Sequence, residues 1–339
     1  MNKIYKNILV TGGMGYIGSH TAIQLANLNY QVVLFDNLSN SKKDVINRIN
    51  KLASKEVSFV FGDVTDTGNL VETIKKYQID SVIHFAGLKA VGESNIYPID
   101  YFKNNISGTI SLIDAMNITG VKTLIFSSSA TVYGEPQYLP IDELHGLGSM
   151  NPYGRTKLHI EELLNDISNS DSEWKIICLR YFNPVGAHES GLIGEDPKDL
   201  PNNLMPIIAK VAKKELPSVR VFGNDYDTID GTGVRDYIHV EDLASGHIAA
   251  LKFLSTEIGI HFFNLGTGMG FSVLEIINAY KDISKMDIPY EFFPRRKGDV
   301  ASCYADTKKA YEQLHWEVKY NLEDMCRTSW KFVQENSKT

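Results

Sequence analysis

Two side chains able to move a proton stand four residues apart, Tyr153 and Lys157, in the run Tyr153-Gly154-Arg155-Thr156-Lys157. They open a segment of helical spacing, Tyr153–Asn165, in which a separation of four stacks both on one face. A cationic Lys beside the phenol, with any second positive charge near it, would favour phenolate. The phenol pKa is then expected to fall from about 10 towards neutrality, as a general base requires. Plain surface stacking of Tyr on Lys gives the same spacing by chance. Upstream, Ser127-Ser128-Ser129-Ala130-Thr131 closes an apolar run. Ligands of open α/β sheets gather at the carboxyl edge of such runs, which would let Ser129 share a proton with Tyr153 and a substrate hydroxyl. Serines that merely end a strand are the alternative.

A third stretch, Val10-Thr11-Gly12-Gly13-Met14-Gly15-Tyr16-Ile17-Gly18, offers phosphate binding. Gly13, Gly15 and Gly18 satisfy G-x-G-x-x-G, while Gly12, Gly15 and Gly18 satisfy G-x-x-G-x-x-G. In either reading the glycines allow a tight turn, admit a pyrophosphate to the backbone and bring helix against strand. Free N–H groups at the helix start would face the phosphates. The context of strand, loop, helix and second strand is complete, because Asp36 closes Val32-Val33-Leu34-Phe35. A carboxylate there accepts from ribose hydroxyls and repels a 2′-phosphate, which points to NAD rather than NADP. Asp63, ending Phe59-Val60-Phe61-Gly62, reads either as an adenine contact or as a plain strand-end cap.

The elements that must position these groups follow from periodicity. Asn7–Val10, Gln31–Phe35, Val57–Phe61, Ser81–Phe85, Thr123–Phe126 and Ile176–Tyr181 read as short apolar strands, separated by helix-length stretches such as Ser19–Leu28 and Gly108–Met116. That alternation predicts an α/β fold with a doubly wound (Rossmann) parallel sheet covered on both faces. From about Asn183 Gly, Pro, Asn and Asp become common, so loops and short elements are expected, with His261–Leu265 returning to the sheet. The expected division is a cofactor-binding domain over 1–183 and a smaller, loop-rich substrate domain over 184–339. The polar tail after Trp330 is expected to fray.

Composition narrows the classes further. The chain has 339 residues, 43% hydrophobic and 22% charged, within the ordinary range of globular proteins. A formal charge of −7 argues against nucleic acid as partner, and no apolar run reaches the roughly 18–20 residues of a membrane span. The start lacks a signal-peptide core, so a cytoplasmic protein is expected. Cys178, Cys303 and Cys326 form neither a disulfide framework nor a Cys-x-x-Cys pattern. His84 and His239 each lie in an apolar run and read as packed, hydrogen-bonded histidines; no cluster suggests a metal.

Taken together, these residues resemble the extended short-chain dehydrogenase/reductase superfamily, and within it the UDP-glucose (UDP-galactose) 4-epimerases. The resemblance spans nearly the whole chain: Val10–His20, Asp36–Ser41, His84–Ser94, Phe126–Gly134, Asn151–Lys157, Leu179–His188, Pro201–Pro206, Phe222–Tyr226, Gly231–Val240 and Pro294–Asp299. It implies Tyr153 as base, Lys157 on the nicotinamide ribose, and Ser129 with Thr131 at the sugar. It implies a cofactor site drawing on Gly12, Gly15, Tyr16, Ile17, Gly18, Asp36, Asn37, Asn40, Ser41, Asp63 and Val64. Phe85, Ala86, Gly87, Lys89 (on a cofactor phosphate), Asn104, Ser127, Tyr181 and Phe182 complete that site. For the UDP-sugar it implies Asn183, Asn203, Leu204, Phe222 against uracil, Arg235, Arg296, Asp299 and Cys303. Arg235 and Arg296 can each fork onto diphosphate oxygens, although an exposed Arg is commonly just solvated.

The chemistry implied is transient oxidation. A carbinol C–H is hardly acidic, so inversion proceeds through a 4-keto sugar: the 4-hydroxyl proton passes to Tyr153 as hydride leaves for NAD, the flat sugar turns, and hydride returns to its other face. The cofactor is expected to stay bound throughout. At the position of Cys303 the family carries either a bulky Tyr or a small residue. A small side chain leaves room at the sugar 2-position, so UDP-N-acetylglucosamine and UDP-N-acetylgalactosamine are expected as substrates too, unless Cys303 merely fills core. Two rivals are a sugar-nucleotide 4,6-dehydratase and a catalytically silent NAD-binding regulator. The first calls for an acid just after Ser129, where Ala130-Thr131-Val132-Tyr133 has none before Glu135; the second is disfavoured by an intact Ser129, Tyr153 and Lys157. Helix candidates Tyr101–Met116 and Tyr153–Ile167 resemble those through which the family forms a homodimer by a four-helix bundle.

Overall fold

The computed structural model describes residues 5–198, 201, 203–296 and 298–336. Strand and helix alternate as β1 (Asn7–Thr11), α1 (Tyr16–Asn27), β2 (Gln31–Asp36), α2 (Val45–Leu52), β3 (Ser58–Phe61), α3 (Thr67–Lys76), β4 (Ser81–His84), α4 (Val91–Ile96), α5 (Pro98–Tyr101), α6 (Gly108–Thr119), β5 (Thr123–Ser129), α7 (Pro152–Ser170) and β6 (Lys175–Tyr181). The chain continues as β7 (Asn183–Val185), α8 (Leu204–Ala212), β8 (Val219–Phe222), β9 (Val234–His239), α9 (Val240–Phe253), β10 (Gly259–Leu265), β11 (Gly270–Ser272), α10 (Val273–Ser284), β12 (Tyr290–Phe293), β13 (Ser302–Cys303), α11 (Lys308–Leu314) and α12 (Leu322–Asn336).

Seven strands form one parallel sheet in the order β10-β6-β5-β4-β1-β2-β3. Successive side chains of a strand point to opposite faces, and here both faces are apolar. Leu9, Val33, Val82, Leu124 and Ile176 pack with Leu70, Leu112 and Ile160 of α3, α6 and α7. Ile8, Val32, Ile83, Ile125 and Ile177 pack with α1 and α9 through Ala22, Ile23, Leu243 and Leu251. Such double burial is why these strands read as continuous apolar runs. The strand order reverses between β1 and β4, and at that point the two outgoing connections diverge and open a crevice at the carboxyl ends. This is the doubly wound architecture expected. No described helix is long and apolar enough to cross a membrane.

The remainder builds on β11-β9-β13, with β7 alongside β9, and on the pair β12-β8. Its core joins Met205, Ile208, Ile277, Tyr280 and Met325. Three expectations need correction. First, the region after Asn183 is not dominated by short elements, for α9 spans 14 residues, α10 12 and α12 15. Its glycines and asparagines punctuate these helices instead of replacing them. Second, the tail after Trp330 is helical through Asn336, because Phe332 is buried and Asn336 Nδ2 donates to Gly191 O at 3.1 Å; residues 337–339 lie outside the described set. Third, Tyr101–Met116 is not one regular helix: a π-helical stretch, Phe102–Ser107, joins α5 to α6. Asn105 within it is buried, accepts from Leu88 N at 2.8 Å and donates to Leu88 O and Thr156 Oγ1, both at 3.0 Å. Widening a helical turn to seat one side chain in this way is the usual setting of a π-bulge.

Candidate active site

The glycine loop joins β1 to α1 beneath the crevice. Gly12 adopts φ +66°, and an added Cβ would stand 2.7 Å from Ala86 N and 2.9 Å from Phe85 C. At Gly18 a Cβ would meet Gly12 O at 2.5 Å, so helix and loop touch through backbone alone. Gly15 caps α1 in extended conformation, with no capping side chain and no acid in the first turn. The leading N–H groups around Tyr16, Ile17 and Gly18 are therefore left for an anion. Asp36, buried at the end of β2, accepts from Met14 N (3.0 Å), Leu38 N (2.8 Å) and Ser41 Oγ (3.2 Å). Burial pushes its pKa up, and these bonds oppose the shift. A dinucleotide thus fits the loop: room for phosphates over bare backbone, and a fixed carboxylate one strand away.

Around that cradle, Asn37 Nδ2 donates to Asp63 Oδ2 at 2.8 Å, and Asp63 Oδ1 accepts from Thr65 N and Oγ1 at 2.9 and 2.6 Å. Asp63 therefore caps its own strand end, one of its two readings. Val64 is buried, Asn40 Oδ1 accepts from Lys198 N at 3.3 Å, and Phe85, Ala86 and Gly87 line the turn after β4. Asn104 is half-buried in the π-helical stretch, next to Asn105, whose side chain makes the bonds to Leu88. Tyr16 OH donates to Gly186 O at 2.6 Å, tying α1 to the second half of the chain.

β5 and β6 pair with Ser129 opposite Tyr181, and α7 packs against the face of both strands. Pro152 starts α7 and Asn151 caps it by accepting from Gly154 N at 2.8 Å, which sets the first turn carrying Tyr153 and Lys157. Ser129 Oγ accepts from Thr131 N (3.2 Å) and Thr131 Oγ1 (3.0 Å), and its hydroxyl bonds the Tyr153 phenol. Lys157 Nζ donates to Ser127 O at 2.6 Å and lies 5.9 Å from the Tyr153 ring centroid. The three residues are brought together, with one correction. The phenol is not made acidic by Lys157: burial pushes Tyr153 up, and the bond from Ser129 is what lowers it. The ammonium is spent on a strand carbonyl, and burial brings Lys157 down to about 8. Tyr181 OH bonds His247 Nε2, and Phe182 is buried with Val132 and Ile141.

A further cluster gathers from β8, β9, β13 and the turn after β12. Arg296 Nε donates to Asp299 Oδ2 at 2.8 Å, and its Cζ lies 4.8 Å from the Phe222 ring centroid. Arg235 stands opposite Cys303 in the β9–β13 register and donates to Val234 O at 2.8 Å. Buried Asp236 fixes this corner by accepting from Thr267 N, Gly268 N and Ala305 N. Cys303 also packs against the patch of Val132, Tyr133 and Phe182 next to Ser129. Asn183 is exposed on β7, and Leu204 begins α8 half-buried.

Several participants escaped sequence reasoning. Glu195 Oε1 accepts from Lys89 Nζ at 2.9 Å and from Asn203 Nδ2 at 2.7 Å, so one carboxylate joins an expected cofactor contact to an expected substrate contact. Nothing local marks Glu195 apart from its neighbour Asp196. Tyr226 is buried, its hydroxyl has no hydrogen-bond partner among the described residues, and its ring centroid lies 4.1 Å from Arg295 Cζ. Asn105 carried no signal that its neighbour Asn104 lacked. The histidines are packed as expected: His84 bonds Thr11 Oγ1 at 2.6 Å and Thr109 Oγ1 at 3.1 Å, and His239 bonds Thr328 Oγ1 at 2.9 Å.

These buried histidines predict acid lability. Burial brings His84 down to about 3, and His239 and His247 to about 4. A depressed folded-state pKa means that protonation favours the unfolded chain. The stability is complete above the ordinary pKa of about 6.5 and drains as pH falls towards 4, at about 2 kcal/mol per group by pH 5. Asp242, raised to about 6 by burial, works in the opposite sense, as do Asp36, Glu143 and Asp236, which burial also raises. Their ordinary pKa values lie well below that of histidine, so less of their effect falls between pH 7 and pH 5. Melting temperature should fall steadily from pH 7 to pH 5, and a flat profile over that span would contradict the assignment.

Comparison with known proteins agrees with this geometry. Residues 8–266 match the model of the NAD dependent epimerase/dehydratase family. The chain belongs to that family. A UDP-glucose 4-epimerase of Dictyostelium discoideum is 54% identical over 99% of this chain and 98% of its own length. The Homo sapiens UDP-glucose 4-epimerase is 51% identical over 98% and 97%. Among solved structures, UDP-glucose 4-epimerase of Bifidobacterium longum, in complex with NAD+ and UDP, superposes with a TM-score of 0.95 at 50% identity, covering 98% of this chain and 99% of that one. The Stenotrophomonas maltophila enzyme, with bound NAD and formylated UDP-arabinopyranose, gives 0.96 at 48% identity over 98% and 99%.

Proposed function

We propose that this protein is a UDP-glucose 4-epimerase that interconverts UDP-glucose and UDP-galactose with NAD held between turnovers. The observation that carries the reading is the junction of Ser129, Tyr153 and Lys157 at the carboxyl end of β5, beside the glycine loop. NAD, when bound, supplies reversible acceptance of hydride from the sugar 4-carbon. The protein's own part is proton handling and grip. Tyr153 accepts the 4-hydroxyl proton, Ser129 passes hydrogen-bond character between sugar and phenol, and Thr131 donates to Ser129. Lys157 holds the serine strand and the nicotinamide ribose. Gly12, Gly15 and Gly18 admit the pyrophosphate, Asp36 takes the ribose, and Lys89 and Asn203 leave Glu195 for phosphate oxygens. Arg235 and Arg296 grip the UDP diphosphate while Phe222 packs on uracil. The decisive assay incubates purified protein with UDP-galactose and no added NAD: UDP-glucose supports the reading, a 4-keto-6-deoxy sugar indicates a dehydratase, and no turnover a silent module. The dehydratase is disfavoured because Glu135, the nearest acid after Ser129, is exposed beyond the turn.

Cys303 is a small, half-buried side chain opposite Arg235, which supports our further reading that the N-acetyl substrate pair is accepted as well. Cys303→Tyr should suppress N-acetyl turnover at least about tenfold, the effect of roughly 1.4 kcal/mol of steric exclusion, while sparing UDP-galactose. Equal loss on both pairs would refute the gate. We further propose that the sheet domain over 1–183 serves the cofactor, with β10 contributed from the substrate domain over 184–339. The protein acts as a homodimer in the cytoplasm. Exposed Ile96, Tyr97, Ile99, Ile110 and Ile118 on and between α4 and α6 support dimerisation, and a monomeric mass by light scattering would count against it. Free Cys178, Cys303 and Cys326 suit a reducing compartment.

A further inference from the structure

One helical turn after Lys157, on the same face of α7, lies a carboxylate that the reaction as proposed does not use. Glu161 is 2% exposed, and Arg180 on β6 is 3% exposed. Arg180 Nε and Nη2 donate to the two Glu161 oxygens at 3.1 and 2.7 Å. Ser128 Oγ donates to Glu161 Oε1 at 2.5 Å. Arg180 is itself clamped: Nη1 donates to Tyr133 OH at 3.0 Å, and the guanidinium lies 4.9 Å from both the Tyr133 and Phe262 ring centroids. Tyr133 OH continues the chain to Asn264 Oδ1 at 2.6 Å. A buried bidentate pair of this kind is costly to desolvate and seldom kept for stability alone.

Its position suggests what it is kept for. Ser128 lies between Ser127, whose carbonyl holds Lys157 Nζ at 2.6 Å, and Ser129, which bonds Tyr153. We propose that Glu161 is a positioning residue for proton transfer: through Ser128 it fixes the backbone that carries both partners of Tyr153 and Lys157, and its charge keeps the Lys157 ammonium in place. The inference rests on the Tyr153–Lys157 chemistry proposed above. Burial works against the ammonium and Glu161 works for it. The other titratable groups around Lys157 do not supply that charge. Tyr153 on α7 is held as the phenol by burial, Cys178 on β6 is a thiol driven well up, and His84 on β4 is held neutral. Glu93 on α4 accepts from Tyr101 OH on α5 at 2.6 Å and is not among the charges acting on Lys157. That leaves Glu161 as the anion and Arg180 as its partner.

The test is the pH profile of UDP-galactose turnover by the holoenzyme. Glu161→Gln removes the anion, so Lys157 loses its proton at lower pH and the alkaline limb should move down by about one pH unit, the low end for loss of an adjacent charge. Stranding Arg180 is strongly destabilising, so the double variant E161Q/R180Q removes the anion with no buried charge left over. Its alkaline limb should also move down, by less than in Glu161→Gln because a cation leaves with the anion. Arg180→Gln keeps the anion, so its plateau falls while its limb does not move down. A merely structural role predicts lower plateaus with an unmoved limb throughout, and an unmoved limb in the double variant overturns the proposal. If Tyr153→Phe turns over as fast as the unaltered protein, the underlying reading fails instead.

Discussion

Tyr153→Phe should lower the turnover of UDP-galactose by about 100- to 10,000-fold, the usual worth of one well-placed general acid or base. The aromatic ring and its packing on α7 survive the change, and only the phenol oxygen is lost. The hydroxyl bonds Ser129, and losing one such bond costs about 1 kcal/mol, a few degrees of melting temperature at most. Because the phenol acts on the proton as the sugar is oxidised, kcat and kcat/KM should fall together, with KM little changed. Bound nucleotide should remain at one per chain, separating lost chemistry from lost cofactor. A variant that epimerises at the unaltered rate would remove the proton acceptor from the scheme. Burial pushes the free phenol up, with only Ser129 opposing it. Full base strength near neutral pH therefore requires a further positive charge close to the ring, which bound NAD supplies.

Gly12→Ala should abolish retention of NAD. Two penalties meet at this position. The backbone sits at φ +66°, where an L side chain costs roughly 1–2 kcal/mol, and the new Cβ would stand 2.7 Å from Ala86 N. The second penalty is the larger, because the obstacle is backbone and cannot rotate away. Relief requires the turns after β1 and β4 to separate, and the cofactor crevice lies between those turns. Gly120→Ala is the matched control. It has φ +74° and open space around its Cβ, so it carries the conformational strain without the collision. Nucleotide released on denaturing the purified proteins should be absent from Gly12→Ala and stoichiometric from Gly120→Ala, with the control losing roughly 1–2 kcal/mol of stability. Equal release from both would mean that the loop does not cradle the cofactor as argued.

Much of this protein is determined locally and can be read without coordinates. Double burial makes β1, β2, β4, β5 and β6 continuous apolar runs, so the parallel sheet is visible in composition. The contact of Gly18 with Gly12 is made by backbone six residues apart, and the placing of Tyr153 and Lys157 on one face of α7 follows from helical pitch. Glu161 belongs to the same series, since it follows Lys157 by one turn.

Tertiary structure decided what depends on contacts between distant segments. Loop-forming residues between the helices of the second half hid α9, α10 and α12, whose apolar faces become apparent only against each other and the sheet. Where Lys157 points was settled by the carbonyl of Ser127, thirty residues away in sequence, which drew the ammonium off the phenol. Lys89 and Asn203 share Glu195, and pairing with β9 sets Cys303 opposite Arg235 and against Tyr133 and Phe182. Local propensity acts over a few residues. A charge or a hydrogen bond acts over a few ångströms, and in a fold of this length those ångströms join residues a hundred or more positions apart.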